Sequence, residues 1–484
     1  MPGPLTPSDW LLAAPLLWLA GGVVAILVLD AFRPAARHEA GLAFLALLGA
    51  AWSLWPLAEA AGEPLEGIPG LPVRAFSGML EASPGNAVVG LLCLGAAALA
   101  GILSLRSLCR LESGRHRTAL WTLLLVAPAG MLVTLASSHF ATLFLGIETL
   151  SLPLYVLSAL RRTEEGSVEA GLKYFLLGAF ASGFLVFGMA LLYAGTGRMD
   201  PGAVTAALEG GALARAGLGF LYAGLLFKLA IAPFHLWVAD VYQGAPTPIT
   251  ALMAAGTKAA AALALLHWAP PAGPLGSGAW ALLACATLAL ANLTALNQEN
   301  LKRILALSGV AHAGLLLFAL AALQAAPGSG ASVEAAVNFY LVAYGVSALA
   351  AFGALELLER RAGGHAEASA LRGLGRRFPV AGGILALAVL SLAGIPGTAG
   401  FLGKYFVFAE LVRSGEVGVA LLGILLTLWS FAYYLRILVV LYMKDAAPAG
   451  GPPAVQDTPA AVALWVPAVL VVLLGVWPAP AHLL

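Results

Sequence analysis

Apolar stretches of 18 or more residues recur from one end of this chain to the other, separated only by short glycine, proline or charge-bearing interruptions. A helix of that length crosses about 30 Å of hydrocarbon. A membrane barrel would need alternating polarity in pieces of about ten residues, and the sequence has no such alternation. Composition agrees: 61% of the 484 residues are hydrophobic and 10% are charged, too few charges to cover a soluble globule of this length. The expected fold class is an all-α integral membrane protein.

Fourteen spans are predicted, near 10–30, 40–58, 86–106, 118–136, 140–160, 171–196, 216–239, 247–267, 279–297, 304–324, 334–357, 379–412, 417–441 and 459–480. The segment 445–458 reads as a flexible connector, and no linker is long or charged enough to hold a soluble domain. A net charge of +1, without basic tracts interleaved with aromatics, argues against a nucleic-acid partner. Cys93, Cys109 and Cys285 are too scattered for a C-x-x-C metal site or a disulfide framework. The N-terminus lacks a basic n-region, so its first apolar run is expected to stay as an uncleaved span.

Lys and Arg then orient the bundle. With the N-terminus outside, the loops at 33–37, 106–117, 161–162, 302–303 and 360–377, together with Lys444, carry sixteen cations on the cytoplasmic side. The opposite loops hold four: Arg74, Arg198, Arg215 and Arg413. Cytoplasmic loops are the cation-rich ones, so an even span number puts both termini outside. The expected location is the inner (plasma) membrane of a bacterial cell.

Five cations fall outside the loops. Lys173 and Arg436 sit near predicted span ends, where they can snorkel. Lys228, Lys258 and Lys404 have apolar sequence on both sides, and Glu148 in LFLGIETLSLPLYVL is their acidic counterpart. Each central charge costs roughly 2.5–3.5 kcal/mol to insert, so four cost on the order of 10–14 kcal/mol. That rivals the whole stability of a typical protein, roughly 5–15 kcal/mol. Three lysines cannot all pair with one carboxylate, so fixed ion pairs alone do not account for them. Lysine can release a proton where burial disfavours its charge, whereas arginine cannot.

Other proton-bearing groups accompany these charges. Glu148, Ser151 and Tyr155 share a helix face at i, i+3 and i+7. Lys228 and His235 are seven apart with Pro233 between, Ser308 and His312 are four apart, and Tyr340 and Tyr344 repeat that spacing. His235 and His312 are therefore candidate relay members, although a lone membrane histidine also serves simply as a hydrogen-bonded packing residue.

Two spans look broken: the seventh at Pro233, just after Lys228, and the twelfth across Gly394, Pro396, Gly397 and Gly400, just before Lys404. Irregular backbone at membrane depth survives only where protein buries it or where it lines a wet cavity. Breaks in matching positions of two halves point to an inverted-repeat transporter, and an interval of five spans fits repeats of spans four to eight and nine to thirteen.

The segments LFLGIETLSLPLYVLSAL, EAGLKYFLLGAFASGF, FKLAIAPFHLWVADVYQGAPTPITALMAAGTKAA, NLKRILALSGVAHAG and GIPGTAGFLGKYFVF closely resemble the antiporter-like subunits of the proton-pumping NADH–quinone oxidoreductase, respiratory complex I. The resemblance is strong over about 118–440, and EAGLKYFLLGAFASG is most similar to the subunit N branch. It implies two inverted five-helix repeats, at 118–270 and 271–443, between an N-terminal segment 1–117 and a linker with a last span at 444–484. It also implies a midplane proton line through Glu148, Lys228, Lys258 and Lys404. A sister branch carries glutamate at the last of these positions, and another carries a long lateral C-terminal helix. The loops 59–85 and 358–378 carry no family signature. The sequence lacks a dinucleotide-binding G-x-G-x-x-G motif in a βαβ setting, an iron–sulfur cysteine cluster and a flavin pocket. NADH, FMN, iron–sulfur clusters and quinone are accordingly expected in partner subunits, with other membrane-arm subunits, the bilayer and protons as this chain's own partners. Two other readings stay open: a subunit of a multi-subunit sodium/proton antiporter or membrane-bound hydrogenase, and a non-translocating scaffold.

Overall fold

The computed structural model describes residues 5–32, 38–60, 71–107, 114–269, 276–445 and 458–477. The chain enters through α1 (Pro7–Phe32) and α2 (Glu39–Glu59). A small antiparallel hairpin, β1 (Val73–Ala75) and β2 (Leu80–Ala82), then precedes α3 (Pro84–Ser107), α4 (Gly114–Leu135), α5 (Phe140–Ser158) and α6 (Glu165–Thr196). A short surface helix, α7 (Gly202–Glu209), leads into α8 (Ala212–Leu229), α9 (Leu236–Gly244) and α10 (Thr247–Leu252). A π-helical turn (Met253–Thr257) joins α10 to α11 (Lys258–His267). Next come α12 (Gly276–Leu296), α13 (Leu301–Ala325), α14 (Gly330–Arg361) and the four-residue α15 (Leu374–Arg377). The last elements are α16 (Pro379–Ala393), α17 (Ala399–Arg413), α18 (Val417–Leu428), α19 (Ser430–Tyr442), α20 (Thr458–Ala463) and α21 (Trp465–Val476).

Thirteen helical stretches are long and apolar enough to cross a bilayer, among the described residues. The twelfth predicted span is the exception because it is split into α16 and α17; counting that pair as one crossing gives the fourteen of the sequence. The apolar window of α13 is wholly buried and that of Thr247–His267 is 94% buried, whereas that of α1 is 28% buried. The bundle therefore has a centre, made of α10, α11, α13 and α14, and α14 packs on α3, α10, α13, α16, α17 and α21. α1 and the outer face of α6 present Leu17, Val24, Leu172 and Phe180 outward, as lipid-facing helices do.

Both expected breaks are present. α8 stops because Ala230 takes a left-handed conformation (φ 58°), and α16 stops at Gly394 (φ 92°). In each, the next residue's N–H reaches back to the carbonyl five residues earlier, Ile231 to Leu226 at 3.0 Å and Ile395 to Leu390 at 3.1 Å. The left-handed residue itself donates to the carbonyl three residues earlier, at 2.9 Å in both cases. That is the Schellman ending, and it satisfies carbonyls that a cut helix would leave bare.

The loops that share a charge class also share a face. Arg117 meets Glu39, Arg303 meets Asp240 beside Lys173, and Arg376 donates to the Lys444 carbonyl. On the other face Arg74 pairs with Glu81, and Arg413 with Glu410 and, through it, Ser332. Arg33, Arg37 and Arg110 lie outside the described residues.

Candidate functional site

The buried charges sit where the sequence placed them, on helices that converge on the bundle centre. Lys228 occupies the last turn of α8, ahead of the break, and its Nζ donates to Ser151 Oγ at 2.7 Å and Tyr155 Oη at 3.3 Å. Those two α5 residues share a face with Glu148, as the i, i+3, i+7 spacing requires. Glu148 is half-buried and accepts a hydrogen bond from Ser182 of α6. No direct ion pair joins Lys228 to Glu148 among the described residues.

Lys258 opens α11 directly after the π-helical turn and is 3% exposed. Its Nζ has no hydrogen-bond partner among the described residues. It lies over the Tyr242 ring at 5.8 Å from the centroid and against Gly309 of α13. A methyl group at Gly309 would collide with both Lys258 Nζ and Tyr344 Oη, so the absent side chain is what lets the two approach. π-Helical turns recur at functional sites because the extra residue redirects the side chains after it.

His312, one turn along α13 from Ser308, links the next set. Its Nδ1 hydrogen-bonds Tyr340 Oη at 2.7 Å and its Nε2 meets Tyr434 Oη at 3.3 Å, while the Tyr344 ring lies 4.9 Å away. Tyr434 also hydrogen-bonds Ser308. Lys404, in the second turn of α17, reaches back across the break to donate to the Leu392 and Ala393 carbonyls at 2.8 and 2.7 Å. A cation on helix C-terminal carbonyls gains up to about 2 kcal/mol in a partly buried setting. That offsets much of the roughly 2.5–3.5 kcal/mol insertion cost but not all of it.

Tyrosines fill the space between the first lysine and the second. Tyr155 packs edge-on against Tyr174, with centroids 4.7 Å apart, and the Tyr242 ring lies beneath Lys258 Nζ. Proton-bearing side chains thus form two contacting sets, one of Lys228 and Tyr174 with Ser151 and Tyr155 on the face of Glu148, and one of Tyr242, Lys258, Tyr344, His312, Tyr340 and Tyr434.

His235 does not share a helix with Lys228. The helical face shared by Lys228 and His235 in the sequence does not form, because α8 ends at Leu229. His235 instead precedes α9, buried, with Nδ1 unpartnered. Lys173 does not snorkel alone but bridges Glu169 at 2.6 Å and Asp240 at 2.8 Å. Arg436 is a cap: its guanidinium donates to the Ala295, Leu296 and Gln298 carbonyls where α12 ends.

Sequence reasoning missed a second polar cluster at the cation-rich face. Lys302, assigned to a loop, is 2% exposed, and its Nζ donates to the Ala245 carbonyl at 2.7 Å. Thr247 Oγ1 donates to the buried Glu359 at 2.5 Å. Lys302 and Glu359 line a cavity of about 400 Å³ that also contains Lys173, Asp240 and Arg161. The opposite face has a cavity of about 560 Å³ around Arg74, His139, Arg198 and Asp200. There Arg198 donates to both Asp200 oxygens at 3.0 Å and holds that carboxyl below the usual carboxylate range. The fixed ion pairs of the described residues all lie toward these two faces, and no group of three His, Cys, Asp or Glu side chains suited to a metal occurs among the described residues.

Comparison with known proteins matches residues 137–430 to the family described as NADH:quinone oxidoreductase/Mrp antiporter, transmembrane. The chain is similar to NADH-quinone oxidoreductase subunit N 2 of Roseiflexus castenholzii, 39% identical over 99% of this chain and 96% of that one. It is similar to subunit N of Geobacter metallireducens, 44% identical over 72% and 74% of the two chains. Among solved structures, a chain of respiratory complex I from Thermus thermophilus superposes with a TM-score of 0.79 at 35% identity, covering 96% and 97% of the two chains. A chain of the Mrp complex from Dietzia superposes with a TM-score of 0.82 at 18% identity over 99% and 96%, a likeness of fold alone.

Proposed function

Since this chain belongs to the NADH:quinone oxidoreductase/Mrp antiporter transmembrane family, we propose that it is a membrane-arm subunit of an NADH–quinone oxidoreductase and passes protons along the line from Glu148 to Lys404. The observation that carries this reading is the absence of any carboxylate within ion-pair distance of Lys228, Lys258 or Lys404 among the described residues. Charges kept only to pin helices together would have counter-ions, because an unpaired buried charge is a large cost. These lysines instead have hydroxyls, a histidine and carbonyls for neighbours, groups that accept or relay a proton.

Glu148 and Lys228 form one end of the line, Lys258 the middle, and His312 with Lys404 the other end. His235 stays outside it. Both breaks share one geometry, which supports an inverted pair of repeats over 118–270 and 271–443. Redox chemistry belongs to partner subunits that would hold NADH, FMN, iron–sulfur clusters and quinone. This subunit would then respond to quinone reduction through conformational or electrostatic coupling.

A tag on this chain should bring down NADH–quinone oxidoreductase activity, and the reconstituted complex should acidify vesicles on NADH addition. A chain that co-purifies with sodium/proton exchange and no redox subunits would favour the antiporter reading. Both termini are assigned to the outer side. A cysteine replacing Ser77, between the hairpin strands, should react with an impermeant thiol reagent added outside. Reaction only after the membrane is opened would reverse the orientation.

A further inference from the structure

The loop between α14 and α16 plays no part in the proton line, yet it is built with care. α15 packs against α16 and α19, where glycines let the backbones approach closely. Gly373 N–H donates to the Val440 carbonyl at 3.0 Å. A side chain on Gly375 would meet Leu441 O and Tyr442 at 3.0 Å, and one on Gly382 would run into Gly375 itself at 2.5 Å. Leu371 and Leu374 are buried beneath. This seat fixes the backbone of Leu374–Arg377 against α16 and α19.

What the seat presents is positive. Arg372, Arg376 and Arg377 are exposed, and Arg376 donates to the Lys444 carbonyl, which brings the exposed Lys444 alongside. The guanidinium carbons of Arg361 and Arg377 lie 4.9 and 5.6 Å from the Phe378 ring centroid. That stacking helps hold the two cations in place. Asp445 is exposed next to Lys444, whereas Glu367 is turned toward Asn300 and His365. Just past the cations the surface turns apolar: Val380 is 44% exposed and Met443 75% exposed.

We infer that this platform binds the phosphate headgroup of an anionic phospholipid, with the acyl chains lying along Val380 and Met443. Cations at the end of a span with exposed apolar side chains directly below them match both parts of a lipid. An acidic segment of a partner protein would use the charges and leave the apolar step unexplained. Each basic side chain near a membrane surface contributes about 1 kcal/mol toward anionic lipid, about fivefold in affinity.

The test uses the whole complex carrying this chain, reconstituted in nanodiscs of phosphatidylcholine with a minor share of photoactivatable phosphatidylglycerol. Crosslinking should map to 372–380 and 440–445 and exceed that of an equally labelled phosphatidylcholine by roughly tenfold or more. The triple variant Arg372→Gln, Arg376→Gln, Arg377→Gln should lose that preference, and the corresponding triple Lys variant should retain it. Equal labelling by the two lipids, or a preference that survives the Gln variant, would overturn the assignment. So would abolition of labelling by millimolar inorganic phosphate, which would mark a free-anion site. Loss of a neighbouring subunit from the Gln variant with lipid labelling intact would mark a protein-docking surface instead.

Discussion

α8 and α16 end on the same turn, with a left-handed residue, an isoleucine after it and matching hydrogen bonds back into the helix. Their lysines sit on opposite sides of that turn. Lys228 precedes the first break and lies sideways against the α5 hydroxyls that lead to Glu148. Lys404 follows the second break and turns back onto the carbonyl ends of the helix before it. The first charge is thus balanced by a carboxylate at one remove, and the second by helix-end dipoles, with no carboxylate in ion-pair reach among the described residues. One backbone device serves two electrostatic solutions. The difference also shows in the turns: the second break uses glycine, with Lys404 packed 3.1 Å from where a Cβ would be, while the first carries Ala230 at a conformation that costs a non-glycine residue about 1–2 kcal/mol.

Changing the left-handed residue separates the two breaks most sharply. Gly394→Ala should incur that same cost of about 1–2 kcal/mol and push Lys404 off its carbonyls. The expected result is lower thermal stability of the complex together with weaker proton pumping. Full pumping by this variant would mean that Lys404 does not need its seat on Leu392 and Ala393. The reciprocal change, Ala230→Gly, should act weakly and in the other direction. Relief of about 1–2 kcal/mol of strain offsets the roughly 0.5–1 kcal/mol entropic penalty of glycine, leaving a gain of at most about 1.5 kcal/mol and unchanged pumping. A loss of stability there would show that Ala230 is not strained by its surroundings.

Much of this comparison can be read in the sequence, and the limits have physical causes. Spans, breaks and the identity of the buried charges follow from hydropathy, proline, glycine and the cost of charge in hydrocarbon, all of which act locally along the chain. The tyrosine contacts do not, because Tyr174 meets Tyr155, Tyr242 meets Lys258 and Tyr434 meets His312 only between different helices. The π-helical turn before Lys258 has no residue signature in MAAGT. Lys302 read as a loop cation because burial at a span end depends on what packs over it, here Ala245 and the loop after α14. The helical face read for Lys228 and His235 failed because its spacing crosses a break that ends the helix at Leu229. The small elements α7 and β1–β2 fell in loops whose composition gave no period to read.

The central claim is that the buried lysines carry protons, and position 228 tests it most directly. Arginine keeps the charge and hydrogen-bonding capacity of Lys228 but does not release a proton, whereas alanine removes both. The measurement is NADH-driven proton translocation by the purified complex in sealed vesicles, with assembly checked alongside. If Lys228 is a relay, the Lys228→Arg complex should assemble with Ser151 and Tyr155 still engaged, yet translocate protons and reduce quinone far more slowly, as Lys228→Ala does. Full translocation by an assembled Lys228→Arg complex would contradict the account and leave Lys228 as a fixed charge that holds α8 to α5.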